Sequence, residues 1–422
     1  APMRCRSESQ VPKCFQQVKC PYAQAQTVYG TYGAINYAFV GPETGEVVVC
    51  LHGLNGSRLL FQDTANYLSR MGGFRVLTFD LYGHGLSNAP RVDLCPKGCC
   101  GPSRSGCSSA APRGRYDLDF FVDQTDELLS LLGVDGPVNL LGFSLGGTVA
   151  VAFAQRFPER VRRLAAISPS GFIPKVPRLY YLLRALSCCL VPLAPHVICT
   201  CLYKRERFAR SLRTEGQALD EDAVNSLWSR FVWQLFVKRG VASATLAVCS
   251  RVNWFNLTDL FEDVGRHSRP VLLIWGERDN LNPASTVAEK VKSCFSNAKL
   301  LVVPRAGHIA LCDKPAEVIP RIFKFLQLPA DVRMDSVELT IPPASTTCSP
   351  CSPNSIRPQA SSPDANADAI PAEVHGSDRD PPQQPHFTSA SACRAEQMPV
   401  PMILGHTEDI CDPVSATSTA SL

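Results

Sequence analysis

Apolar residues fall along this chain in two alternating rhythms. Val47-Val48-Val49-Cys50-Leu51 is an unbroken apolar, mostly β-branched run, the signature of a strand covered on both faces of a parallel sheet. Phe74–Asp80, Val138-Asn139-Leu140-Leu141, Leu164–Ser168, Pro270–Trp275 and Leu300–Val303 repeat it. Between them lie helix-period segments: Leu59–Arg70 stopped by Gly72-Gly73, Asp117–Leu132 with acidic residues in its first turn and Gly133 after it, Ala284–Phe295, and Pro315–Leu326. Near the start, Thr27–Tyr32 and Ile35–Val40 around Gly33 predict a hairpin. Buried strands alternating with helices over roughly 300 residues predict an α/β fold, a doubly wound, mostly parallel sheet.

Several stretches interrupt the rhythm. Residues 1–26 lack periodicity and are expected to form a flexible N-terminal arm. Residues 27–170 make the first part of the core, broken at 95–115 by a Cys-, Gly-, Ser- and Pro-rich loop. Residues 171–259 are helical rather than strand-like and predict a cap or lid. The core resumes over 260–328. From 329 to 422, Pro, Ser, Ala and Asp with few large apolar side chains predict a disordered tail.

The most informative local pattern follows the fifth strand. Gly142-Phe143-Ser144-Leu145-Gly146 leads straight into the small, apolar helix Gly147–Ala154. A strand, Gly-x-Ser-x-Gly and a helix make a nucleophile elbow, a strained turn that lifts a serine hydroxyl to a helix N-terminus. Serine alone is a weak nucleophile; it needs a base to take its proton and an acid to orient that base. His308, after the last strand in Pro304-Arg305-Ala306-Gly307-His308, is the candidate base. Asp279, just past Ile274-Trp275, is the candidate acid, in competition with Glu277 in the same turn and with Asp259 and Asp263 upstream. The structural alternatives are a small residue in a tight turn for Ser144 and a surface loop histidine for His308. His52 and His84 are expected to pack loops, and Asp80 to brace the turn around Gly83-His84-Gly85.

Composition narrows the classes. Of the 422 residues 45% are apolar, enough for a full-sized core, and the formal net charge of +4 with no basic block interleaved with aromatics argues against nucleic-acid binding. The 19 cysteines include adjacent pairs (Cys99-Cys100, Cys188-Cys189) and an odd member, so mostly reduced thiols in a reducing, cytoplasmic compartment are expected. Cys95, Cys99, Cys100 and Cys107 match no familiar zinc spacing, and neither metal nor organic cofactor is expected. Ala1–Cys20 has no apolar stretch like that of a secretory leader; because the chain begins with Ala, a leader ahead of it stays open.

Taken together, Leu51-His52-Gly53, Asp80-Leu81-Tyr82-Gly83-His84-Gly85-Leu86-Ser87, the elbow, Trp275-Gly276-Glu277-Arg278-Asp279 with Pro283, and Gly307-His308 resemble the α/β-hydrolase fold of esterases and lipases across about Val28 to Leu326. The resemblance implies a triad of Ser144, Asp279 and His308, the Trp-Gly-x-x-Asp register favouring Asp279. It also implies an oxyanion hole from the backbone N–H groups of Leu54 and Leu145. Epoxide hydrolase and dehalogenase chemistry are disfavoured, because those members carry Asp where Ser144 stands.

Leu179–Tyr203, the most apolar stretch, is broken by Arg184, Pro192, Pro195 and His196 and followed by Lys204-Arg205-Glu206-Arg207. It predicts either a cap helix pair packed on the core or a lid making peripheral contact with a membrane. Trp228–Val237, with Phe231, Trp233 and Phe236, reads as core or as an acyl channel wall. The expected activity is serine hydrolysis of a carboxylic ester of a lipid such as a monoacylglycerol or lysophospholipid, through an acyl-enzyme on Ser144. Alternatives are an acyl-protein thioesterase, a carbon–carbon bond hydrolase, or a hydrolase-fold ligand receptor with little turnover.

Overall fold

A computed structural model describes residues 20, 22, 26–93, 112–174, 178–186, 189–190, 193 and 229–340. Eight strands form one sheet: β1 (Gln26–Gly30), β2 (Gly33–Val40), β3 (Val47–Leu51), β4 (Arg75–Phe79), β5 (Val138–Phe143), β6 (Val161–Ile167), β7 (Val271–Gly276) and β8 (Ala298–Val303). Their order is β1-β2-β4-β3-β5-β6-β7-β8. The hairpin β1–β2 joins antiparallel to β4, and every pairing from β4 to β8 is parallel.

Strand residues send alternate side chains to opposite faces, and from β3 to β7 both faces are dry, whereas β8, expected to be covered on both faces, lies at the sheet edge and is half-exposed. Val49, Leu51, Leu140, Leu164, Ala166 and Leu273 pack on one side. There lie α2 (Leu118–Leu131) and α3 (Leu145–Arg156). Val48, Cys50, Leu141, Ala165, Ile167 and Ile274 pack on the other with Phe61, Leu68, Ile319, Ile322 and Phe325. That side is covered by α1 (Gln62–Gly72) and the C-terminal helix Pro315–Leu326. The sequence periods account for these helices. Asp117 caps α2 by accepting the Phe120 N–H at 2.9 Å. Val318, Ile319, Ile322, Phe325 and Leu326 form the single buried stripe of the last helix.

Between β6 and β7 the described residues are helical: α4 (Arg178–Ala185), a π-helical turn at Trp233–Val237, α5 (Val241–Arg251) and α6 (Thr258–Gly265). The remaining α-helices among the described residues are α7 (Ala284–Ser293), α8 (Ala310–Asp313) and α9, the Pro315–Leu326 helix. Tyr180 docks α4, its hydroxyl donating to the Val252 carbonyl at 3.2 Å. Phe231, Trp233 and Phe236 are buried. Among the described residues no helix is long and apolar enough to cross a membrane.

Four expected boundaries move. The arm over 1–26 reaches the body by Tyr22, which is buried against Trp233 at 5.4 Å between ring centroids. Gly114, expected inside the loop at 95–115, pairs with Val92 in an isolated parallel bridge. The cap boundary at 259 cuts through α6, whose Asp263 holds Gln155 of α3 at 2.9 Å and which therefore belongs to the core layer. The tail expected from 329 is packed as far as Leu339: Met334 is buried, and Asn297 holds both its N–H (2.7 Å) and the Val332 carbonyl (2.8 Å). Few apolar residues suffice there because one buried asparagine satisfies the backbone. The cysteine cluster Cys95, Cys99, Cys100 and Cys107, most of Leu179–Tyr203 and residues 341–422 lie outside the described residues.

Candidate active site

The carboxyl ends of β5, β7 and β8 place Ser144, Asp279 and His308 on one edge of the sheet, where open α/β sheets bind their ligands. Ser144 sits at φ 52°, ψ −118°, a conformation that costs a non-glycine residue on the order of 1–3 kcal/mol. Its N–H donates to Ile167 O at 2.9 Å, extending the β5–β6 ladder one step into the turn. The elbow closes only because its flanking residues lack side chains. A Cβ on Gly142 would lie 2.4 Å from the Gly146 carbonyl oxygen, and one on Gly146 would lie 2.1 Å from that of Leu51.

The three side chains form a continuous hydrogen-bonded chain. His308 Nε2 stands 3.1 Å from Ser144 Oγ, and His308 Nδ1 stands 2.8 Å from Asp279 Oδ2. A carboxylate only accepts, so Nδ1 carries the proton and Nε2 turns its lone pair to the serine hydroxyl. Asp279 is fixed in turn, its Oδ1 accepting the N–H groups of Leu281 (3.0 Å) and Asn282 (2.9 Å). Asn282 ties that turn to the elbow side by donating Nδ2 to Pro169 O at 2.8 Å. Ser144 is 3% exposed, the Asp279 side chain 0% and that of His308 12%, with the Phe143 ring 5.1 Å from the imidazole. In so dry a site these charge-assisted contacts are screened little by water.

The competing acids lie elsewhere. Glu277 accepts the Arg305 N–H at 2.8 Å, Asp263 is engaged with Gln155 and Arg266, and Asp259 is on α6. Leu145 opens α3 directly after the serine. Leu54 lies in the turn Gly53–Gly56, which the Gly56 N–H closes onto Gly53 O at 3.0 Å. A Cβ on Gly53 would come within 3.2 Å of Ser144 Cβ, so this turn faces Ser144 at close range.

His52 and His84 are buried beneath the site. His52 donates from Nδ1 to Gly53 O (2.8 Å) and accepts the Leu81 N–H at Nε2 (3.0 Å), which requires the neutral ring. Burial lowers its pKa, opposed by the nearby Asp80 charge and the Gly53 carbonyl. His84 is held well below its ordinary value, first by burial and then by His52. Asp80 accepts Arg58 N at 2.7 Å and Leu86 N at 2.8 Å, bracing the Gly83-His84-Gly85 turn from within. Among the thiols, Cys50, Cys249 and Cys294 are free, and burial pushes Cys249 up to about 12.

Two neighbours escaped the sequence reading. Ser170 Oγ lies 3.3 Å from Ser144 Oγ, and Asp313 accepts the Gly307 N–H at 2.7 Å, anchoring the turn that carries His308. The position of Ser170 just past β6, on the same sheet edge, was the available signal; nothing local marks Asp313.

A family model described as alpha/beta hydrolase fold matches residues 46–183. The chain is 25% identical over 330 residues to an uncharacterized protein of Mycobacterium tuberculosis, an alignment covering 77% of this chain and 86% of that one. It is also 25% identical over 300 residues to the sn-1-specific diacylglycerol lipase ABHD11 of Mus musculus, covering 68% of this chain and 82% of the lipase. A thermophilic esterase structure from Thermogutta terrifontis shares the fold, with a TM-score of 0.52 at 24% identity over 72% of this chain and 98% of the esterase. Sheet order, the position of the elbow and these likenesses show that the chain has the α/β-hydrolase fold.

Proposed function

We propose that the protein is a serine hydrolase that cleaves the carboxylic ester of a lipid-like substrate through an acyl-enzyme on Ser144. The observation that carries this reading is the unbroken path Ser144–His308–Asp279 at 3.1 and 2.8 Å in a nearly dry cleft. Ser144 Oγ attacks the ester carbonyl as His308 Nε2 takes its proton. The carbonyl oxygen becomes an oxyanion between the N–H groups of Leu54 and Leu145, each contributing about 3 kcal/mol by comparison with the loss of similar donors. Collapse of the intermediate breaks the bond to the alcohol, which leaves with the proton from His308. Water, deprotonated by the same nitrogen, then attacks the acyl-enzyme and releases the fatty acid and free Ser144. Asp279 stays ionised throughout and supports the imidazolium.

Two features support a lipid acyl group. The mouse relative is named as a diacylglycerol lipase. Tyr181, Leu182, Leu186 and Leu193, all between β6 and β7, expose large apolar side chains that a water-soluble substrate does not require. Turnover of a p-nitrophenyl ester series tests the reading: kcat/KM is expected to rise with acyl length. A single burst without turnover on every ester would indicate a ligand receptor instead.

A further inference from the structure

The stretch Gln234–Thr245, between β6 and β7, touches the Gly53–Gly56 turn and the His84–Ser87 turn through a polar seam. Gln234, 1% exposed, accepts the Gly85 N–H at 2.7 Å and donates Nε2 to Asn55 O at 3.2 Å. Thr245 Oγ1, also buried, donates to Asn55 Oδ1 at 2.8 Å. Lys238 lies buried in the same seam and donates Nζ to the carbonyls of His84 (2.9 Å), Gly85 (2.7 Å) and Ser87. All these contacts bridge about 150 to 190 residues of chain.

Both groups that receive Gln234 Nε2 and Thr245 Oγ1 belong to Asn55, and Asn55 is the strained residue of the Gly53–Gly56 turn, at φ 58°. Left-handed backbone at the third position of a four-residue turn is adopted readily by glycine and only reluctantly by other residues, asparagine being the most tolerant. The turn's own bond, from Gly56 N to Gly53 O, does not involve Asn55. From the core side the turn is held through Gly53, by His52. On the other side, beyond the core packing of Leu54, the hydrogen bonds described to Asn55 come from Gln234 and Thr245. Apolar packing would bury the same area without direction, whereas a buried hydrogen bond is satisfied in one geometry.

We propose that Gln234 and Thr245 are positioning residues for the oxyanion turn, fixing Asn55 and hence Leu54, so that the turn is set for catalysis only while the stretch Gln234–Thr245 is seated on it. This rests on the reading of Leu54 as an oxyanion donor. A donor displaced by a fraction of an ångström loses transition-state stabilisation while substrate binding is largely kept, so the effect falls on kcat rather than KM.

Thr245→Val keeps shape and loses the hydroxyl; Thr245→Ser keeps the hydroxyl and loses a methyl. Gln234→Met removes both amide contacts at nearly constant volume. Thr245→Val is expected to lower kcat about tenfold with KM within about twofold, Thr245→Ser to restore most of it, and Gln234→Met to lose about 10–100-fold. Phosphonylation of Ser144 by a fluorophosphonate, whose oxygen occupies the same hole, is expected to slow in proportion. Thermal melting run alongside reports folding, and should Gln234→Met fail to fold, the Thr245 pair decides. Equal kcat in Thr245→Val and Thr245→Ser, or losses that appear in KM alone, would overturn the inference while leaving the nucleophile in place. A wild-type protein that neither turns over esters nor takes the probe would overturn the Ser144 reading, and this inference with it.

Discussion

Asp279 and His308 are joined at 2.8 Å, Oδ2 to Nδ1, while the other oxygen of the same carboxylate is occupied by two backbone N–H groups. The carboxylate is therefore oriented before substrate arrives. It determines which imidazole nitrogen faces Ser144, 3.1 Å away. Such a unit loses function as a whole. Ser144→Ala and His308→Ala are each expected to lower kcat by about 10⁴-fold or more, and the double variant to be little worse than either. Asp279→Asn, nearly isosteric, is expected to cost about 10⁴-fold by favouring the wrong tautomer. Steady-state kinetics on a soluble ester checks all four; multiplicative losses in the double variant would mean that Ser144 and His308 act separately.

The tight fit of the elbow has its own consequence. Gly146→Ala would place a methyl 2.1 Å from Leu51 O and 2.6 Å from His52 O, backbone atoms that cannot turn aside. It is expected to destabilise the fold by about 3 kcal/mol or more. Gly136→Ala, with nothing within 4 Å of the added carbon, is expected to stay within about 0.5 kcal/mol. Urea unfolding compares them, and similar midpoints would contradict the packing described for the turn.

His52 and His84 couple the fold to pH. Their folded pKa values lie below 6.5, chiefly through burial, so below that pH the unfolded chain binds more protons than the native one. Stability is then complete above about 6.5 and falls on acidification towards the lowered values. Asp313, raised above 3.8 mainly by burial, acts in the opposite sense. The melting midpoint is expected to drop between about pH 7.5 and 5.5, and His84→Phe to flatten that slope. A midpoint constant or rising over this range would show that the two rings are not kept neutral.

Apolar exposure on α4 leads to a test on lipid surfaces. Leu182 of α4 and Leu186, one residue past its end, are exposed whereas Tyr180 is docked. Leu182→Glu and Leu186→Glu are expected to reduce hydrolysis of vesicle-borne ester several-fold more than hydrolysis of a soluble ester. Equal losses on both substrates would remove the surface-contact reading.

Much of this arrangement was legible in the chain itself, and the reasons differ from residue to residue. Apolar runs gave away β3 to β7, because strands dry on both faces cannot carry polar alternation, whereas β8 is an apolar strand at the sheet edge that stays half-buried, with Val302 exposed. Ser144, Asp279 and His308 were legible because strand ends impose local patterns of glycine, strand and turn. Asn55, Gln234 and Thr245 were not: an amide or hydroxyl in a helical segment looks the same whether it meets water or a turn some 180 residues away. Trp233 and Phe236 are buried, as they would be either as core residues or as the wall of a channel. The packed segment through Leu339 was missed since composition reports the lack of a large apolar cluster, not the hydrogen bonds by which Asn297 holds Val332 and Met334.

The central claim is that Ser144 is the nucleophile, and peptide mapping by mass spectrometry after treatment with a fluorophosphonate tests it most directly. One adduct is expected, on the peptide containing Ser144, absent in Ser144→Ala and strongly slowed in His308→Ala. An adduct at another serine, or undiminished labelling of Ser144→Ala, would contradict the account.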